Sequence, residues 1–166
     1  MCSASFYVGV YRAMWKRWGA DFRHKCLITG DSAGSVFAVG MALGRTPDQM
    51  CELYRTMSEK ASKHGFLGTV GGFMDDHLRG MLQEYPNAYR ELEGKLRFGV
   101  TVFPFKHVWH DRWESNEHLL QECRCSYHMP IYCGRPPMSI HGYVVDGAYG
   151  VAGHDMPHGC ETLFIG

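Results

Sequence analysis

Apolar residues recur along this chain with two periods, one helical and one extended, and the two kinds of segment alternate. Phe6 to Trp18 reads as a helix: Phe6, Val10, Met14 and Tyr7, Tyr11, Trp18 fall at helical spacing, charged residues lie elsewhere, and Gly19 ends it. These aromatics are expected in the core or against a sheet. Asp21 to His24 is a turn. The β-formers Cys26, Leu27, Ile28 and Thr29 make Lys25–Thr29 a short strand, and a small-residue apolar helix follows, closed by Gly44. Thr46-Pro47-Asp48-Gln49 is a helix start, with Thr46 as N-cap, Pro47 at the first helical position and Gln49 completing a capping box. That helix is expected to run to about Ser62. His64–Gly72 is glycine-rich and reads as a mobile loop exposing Phe66 and Leu67, and Phe73–Tyr85 is helical up to Pro86. Leu96–Phe103 is a strand, and Phe105–Trp113 is an aromatic, histidine-rich loop or short strand. Ser115 caps a helix reaching about Cys123, with Glu117 and Glu122 facing outward. Short strands are expected at Met129–Cys133, at Tyr143–Gly147 and at Glu161–Ile165. Strands taking turns with helices imply an α/β fold: a three-layer α/β/α domain with a mainly parallel sheet and the Lys25–Thr29 strand at its centre.

Between that strand and its helix lies Gly30-Asp31-Ser32-Ala33-Gly34. A turn this tight strains its central residue and lifts the side chain clear of the sheet, and glycine at the flanks lets neighbouring backbone pass close by. The following helix starts at the serine, so its free N–H groups and positive dipole end face any developing oxyanion. A Gly-x-Ser-x-Gly match arises by chance in roughly 0.13 chains of this composition, so the strand-turn-helix context carries the assignment of a nucleophile elbow at Ser32. The bland reading is a glycine-rich helix start with Ser32 as a cap.

Composition narrows the setting. Lys+Arg and Asp+Glu both number 17, so no basic footprint points to nucleic acid. Seven cysteines without a regular frame suit a reducing compartment better than a disulfide scaffold. No apolar run reaches the ~18 residues of a membrane span, and no secretory signal opens the chain. These features lead to the expectation of a soluble, cytoplasmic protein. At 166 residues it is long enough for one sizeable core.

A serine hydroxyl needs a base. The run Tyr143-Val144-Val145-Asp146-Gly147 ends in Asp-Gly, and a parallel sheet would bring this strand end to the same edge as Ser32, 114 residues earlier. The bland reading of Asp146 is a turn aspartate.

Taken together, the landmarks resemble the patatin-like phospholipase family, and more narrowly its adipose triglyceride lipase and adiponutrin branch. They are Tyr7-Val8-Gly9-Val10, the Gly30–Gly34 elbow, Pro130-Ile131-Tyr132-Cys133-Gly134 with Pro136-Pro137, and Gly142-Tyr143-Val144-Val145-Asp146-Gly147. They come in the family's order over nearly the whole chain. The resemblance implies a Ser32–Asp146 dyad without histidine, with Gly147 completing the aspartate's motif and no cofactor or metal. Asp146 would take the Ser32 proton, Ser32 would attack an ester carbonyl, and water activated by Asp146 would release the fatty acid. A carboxylate at its usual pKa of ~3.9 is a feeble base, so burial is needed to raise it. The partner implied is an acyl lipid, triacylglycerol or phospholipid, at a membrane or droplet surface, with Phe66 and Leu67 near the entrance.

One departure concerns the family's first strand and glycine-rich oxyanion segment. Only Cys2-Ser3-Ala4-Ser5 stands at those positions, so residues 1–166 read as a partial domain, a fragment or a degenerate copy, truncated at both ends. Of the oxyanion donors, the Ala33 N–H remains. The missing strand is expected to leave an uncovered sheet edge beside Lys25–Thr29, and with it poor solubility.

Two other functions fit the elbow. A hormone-sensitive-lipase-like α/β-hydrolase would need a histidine after the acid, and His154 and His158 follow Asp146 closely. A non-catalytic lipid-surface module would keep the fold without turnover. Cys123, Cys125, Cys133 and Cys160 with His154 and His158 read as small buried hydrophobes and surface histidines rather than a zinc site. His107 and His110 read as a loop cluster, and Asp75-Asp76 as a solvated pair.

Overall fold

A computed structural model describes residues 2–103, 106–134, 144–147 and 162–165. Helix α1 (Cys2–Trp18) and a 3₁₀ turn (Ala20–His24) lead to strand β1 (Leu27–Gly30) and helix α2 (Ala33–Ala42). Helices α3 (Pro47–His64), α4 (Val70–Gln83) and the short α5 (Ala88–Glu91) follow. Strands β2 (Leu96–Val102) and β3 (Lys106–His110), helices α6 (Asn116–Tyr127) and α7 (Pro130–Cys133), and strands β4 (Val144–Asp146) and β5 (Thr162–Ile165) complete the described chain.

The architecture is α/β, as the alternating pattern implies. The sheet orders its strands β3-β2-β1-β5, with β4 also on β2. It is mixed: β1 runs parallel to β2 and to β5, whereas β3 and β4 are antiparallel to β2. Residues Leu96–Thr101 of β2 are buried on both faces, which places β2 inside the domain. Helix α2 packs on β1 and β2 and is buried from Gly34 to Ala42, so its lack of charged residues reflects a core position. Phe37 of α2 meets Tyr7 and Tyr11 of α1 and Tyr54 of α3 in one aromatic cluster.

Several elements differ from the sequence expectation, each for a local reason. Among the described side chains of α1 the buried ones are Val8 and Tyr11, and the aromatics Phe6 and Trp18, expected in the core or against a sheet, are exposed. The apolar surface of α1 is wider than the stripe its neighbours cover. Met129–Cys133 is a helical turn rather than a strand, because Pro130 at its first position presets a helical φ and the N–H groups of Tyr132 and Cys133 bond to Met129 O. The histidine-rich segment forms β3, a hairpin partner of β2. Glu117 is exposed and pairs with Arg79, but Glu122 is fully buried. Five residues on a helix subtend about 140°, so these two side chains cannot both face outward.

The expected open edge is also absent. Strand β5 pairs with β1 in parallel over Leu27–Gly30, on the side away from β2. Its ladder bonds satisfy the backbone groups that would have templated aggregation.

Candidate functional site

The site forms where β1 ends. The turn Gly30–Ser32 needs glycine at its first position, because a Cβ on Gly30 would stand 2.4 Å from Gly34 O. Ser32 follows at φ 54°, ψ −135°, and among the described residues it alone has a positive φ without being glycine. Such a conformation costs on the order of 1–3 kcal/mol and is held by its surroundings. Those surroundings are visible: Gly34 N–H donates to Asp31 O at 2.8 Å, Ser35 N–H to Ser32 O at 3.0 Å, and the Ser35 hydroxyl donates to Ser32 O at 2.6 Å. Beneath it, Cys123 of α6 donates its thiol to Ser35 Oγ at 3.4 Å. Burial pushes that thiol up to about 12, so it stays protonated as a packing group.

Asp146 arrives by a different route from the one expected. It does not lie on a strand parallel to β1. Gly30 pairs with Phe98 and Asp146 with Val100, both on the edge of β2 opposite β3, so β1 and β4 occupy that edge in line. Because β4 runs antiparallel, the two strands meet C-terminus to C-terminus. The Asp146 N–H is held by His128 O at 2.8 Å, anchoring it to the end of α6. In this arrangement the Ser32 hydroxyl donates to Asp146 Oδ2 at 2.5 Å. Asp146 is 2 % exposed. Nearby, burial pushes the Cys133 thiol up, and the negative charges of Asp146 and Asp75 push the same way.

The remaining elbow residues take distinct roles. Ala33 opens α2, and its N–H has no acceptor among the described residues. Asp31 is buried, and its Oδ1 accepts the Gly99 N–H at 2.8 Å. Gly147 packs against β2, and Thr101 Oγ1 donates to its carbonyl at 3.2 Å. A cleft of about 620 Å³ reaches Ala33 from the surface, walled by Val8, Met57, Phe66, Phe73 and Met74. Phe66 and Leu67 are exposed, as the loop composition suggests.

A family model described as patatin-like phospholipase matches residues 2–152. The chain belongs to the patatin-like phospholipase family. No curated protein and no solved structure matches it. Membership gives this patatin-like chain a function class, lipid acyl hydrolysis, and no described helix is long and apolar enough to cross a membrane.

Other candidates fall out differently in the patatin-like fold. Cys123 and Cys125 are buried, Cys133 donates to Tyr127 O at 3.3 Å, and Cys160, His154 and His158 lie outside the described residues. His110 Nδ1 lies 3.0 Å from Glu122 inside the domain, so these residues belong to the strand core rather than to a loop cluster. Asp75 is half-buried, bonded by Tyr127 and by Arg124 at 3.0 Å, while Asp76 is exposed. Gly99 was the site residue that the sequence concealed. A lone glycine inside a strand pattern signals close backbone approach, and it was the one available hint.

Proposed function

We propose that residues 1–166 act as one serine acyl hydrolase domain that cleaves fatty-acyl esters of triacylglycerol or phospholipid through a Ser32–Asp146 dyad. The observation carrying this reading is the 2.5 Å hydrogen bond from the strained Ser32 to the buried Asp146 carboxylate. Asp146 takes the hydroxyl proton as Ser32 Oγ bonds to the acyl carbon, and returns it to the departing alcohol oxygen. Water then gives Asp146 a proton as its oxygen attacks the acyl-serine, and Ser32 recovers its proton as the fatty acid leaves. The Ala33 N–H, at the positive end of α2, faces the developing oxyanion. The cleft beside Ala33 suits the acyl chain, since its walls are largely aliphatic and aromatic. The landmark residues favour the adipose triglyceride lipase and adiponutrin branch, with the chain working from the cytoplasmic side at a droplet or membrane surface.

The test is hydrolysis of triolein emulsions and of phosphatidylcholine vesicles by the purified chain, beside its Ser32→Ala and Asp146→Asn variants. Each substitution should remove nearly all turnover, a loss of at least about 10³-fold, while His154→Ala and His158→Ala leave it intact. Turnover that survives Asp146→Asn, or that vanishes with either histidine, rejects the dyad in favour of a histidine triad. Lipid binding without any turnover would instead support a non-catalytic lipid-surface module.

A further inference from the structure

The residue between the two ladders on β2 is Gly99. On the edge where β1 and β4 meet, Phe98 faces Gly30 and Val100 faces Asp146, and no strand residue stands opposite Gly99. Its N–H points into that break, where the Asp31 carboxylate accepts it at 2.8 Å, entirely within the buried interior. The second carboxylate oxygen lies 3.5 Å from His107 Nε2 on β3, and both side chains are less than a tenth exposed. Space at this point is tight. A Cβ on Gly99 would lie 2.1 Å from His107 Nε2 and 2.4 Å from Asp31 Oδ1. A Cβ on Gly147 would lie 3.1 Å from the same Asp31 oxygen. One carboxylate, at the end of β1, therefore bonds the middle of β2 and leaves little room beside the residue next to Asp146.

We propose that Asp31 is a positioning residue: by holding the Gly99 N–H, its carboxylate sets the separation of Ser32 and Asp146. The inference rests on the dyad reading and assigns Asp31 no contact with substrate. An aspartate here is not required by the elbow itself, whose steric demands fall on Gly30 and on Ser32. What it supplies is a bridge that the two ladders lack, since β1 and β4 share no backbone pairing with each other.

The experiment compares Asp31→Ala and Asp31→Asn in the full chain. The asparagine keeps an oxygen for the Gly99 N–H; the alanine does not. With p-nitrophenyl decanoate as substrate, D31A should lose about 10²-fold in kcat with KM almost unchanged, as a misplaced reacting pair does, and D31N should restore most of it. An unchanged kcat in D31A overturns the proposal. Equal losses in the two variants also overturn it, because the charge and not the hydrogen bond would then act. If D31A fails to fold, Asp31→Ser, too short to reach Gly99, takes its place. In a chain without turnover, crystal structures of the variants decide: a Ser32–Asp146 contact widened in D31A and kept in D31N supports positioning, and an unchanged 2.5 Å rejects it. Failure of the dyad reading is seen without any change at Asp31, as a parent chain without turnover or turnover that survives Asp146→Asn; failure of this inference is seen in D31A, as an unchanged kcat or an unchanged Ser32–Asp146 contact.

Discussion

Gly147 and Gly99 lie back to back: a Cβ on Gly147 would stand 2.5 Å from Gly99 O and 3.0 Å from its carbonyl carbon. Backbone cannot swing aside as a flexible side chain does. Gly147→Ala should push the end of β4 off β2, destabilise the fold by about 1–3 kcal/mol, and carry Asp146 away from Ser32. Urea unfolding and ester hydrolysis should both register the change. Full activity in this variant would show that β4 is not held at that point.

Ser32 carries backbone strain that glycine would not. Ser32→Gly should abolish turnover and raise stability by about 1 kcal/mol, whereas Ser32→Ala abolishes turnover and leaves the strain in place. Urea midpoints of the two variants, measured against the parent chain, separate these outcomes. A glycine variant no more stable than the alanine variant would contradict the strain.

Burial holds His128 below its usual range, with the Arg124 charge adding to the effect, and burial with the Lys60 charge does the same to His77. The unfolded chain therefore takes up these protons more readily than the folded one. Stability should be full above the ordinary histidine value of 6.5 and fall as pH drops through it. Thermal melts between about pH 5 and 8 should show this slope, and His128→Gln should flatten it. The His128 backbone carbonyl also accepts the Asp146 N–H, at 2.8 Å.

Thr46 and Gln49 form a reciprocal pair, with Thr46 Oγ1 accepting the Gln49 N–H at 3.2 Å and Gln49 Oε1 accepting the Thr46 N–H at 2.8 Å. Thr46→Ala should cost about 1 kcal/mol, and Thr46→Ser much less. Chemical denaturation is sufficient to check both.

That cap was legible in the sequence because all its partners lie within three residues. The elbow was legible for the same reason: Gly30, Ser32 and Gly34 constrain one another locally. Pairing partners distant in sequence were not. Nothing in Val144–Asp146 reveals that it runs antiparallel to β2, since a buried three-residue strand carries no direction in its side chains. The pairing of Thr162–Ile165 with β1 was hidden for the same reason. Glu122 was misplaced because a charged residue on a helix ordinarily faces water, and its partner His110 lies on another element. Met129–Cys133 was misread because four apolar residues fit either period, and Pro130 decided between them.

Strand β2 thus serves as a ruler for the site. Gly30, two residues before Ser32, and Asp146 pair with graduations two residues apart, Phe98 and Val100, on strands that run toward each other and end at the mark at Gly99. Inserting a single residue there would add about 3.3 Å between the ladders, more than the whole Ser32–Asp146 hydrogen bond of 2.5 Å. Length changes in the Gly65–Thr69 loop would leave that measurement untouched. The number of residues between Phe98 and Val100 is therefore the dimension on which the Ser32–Asp146 contact depends.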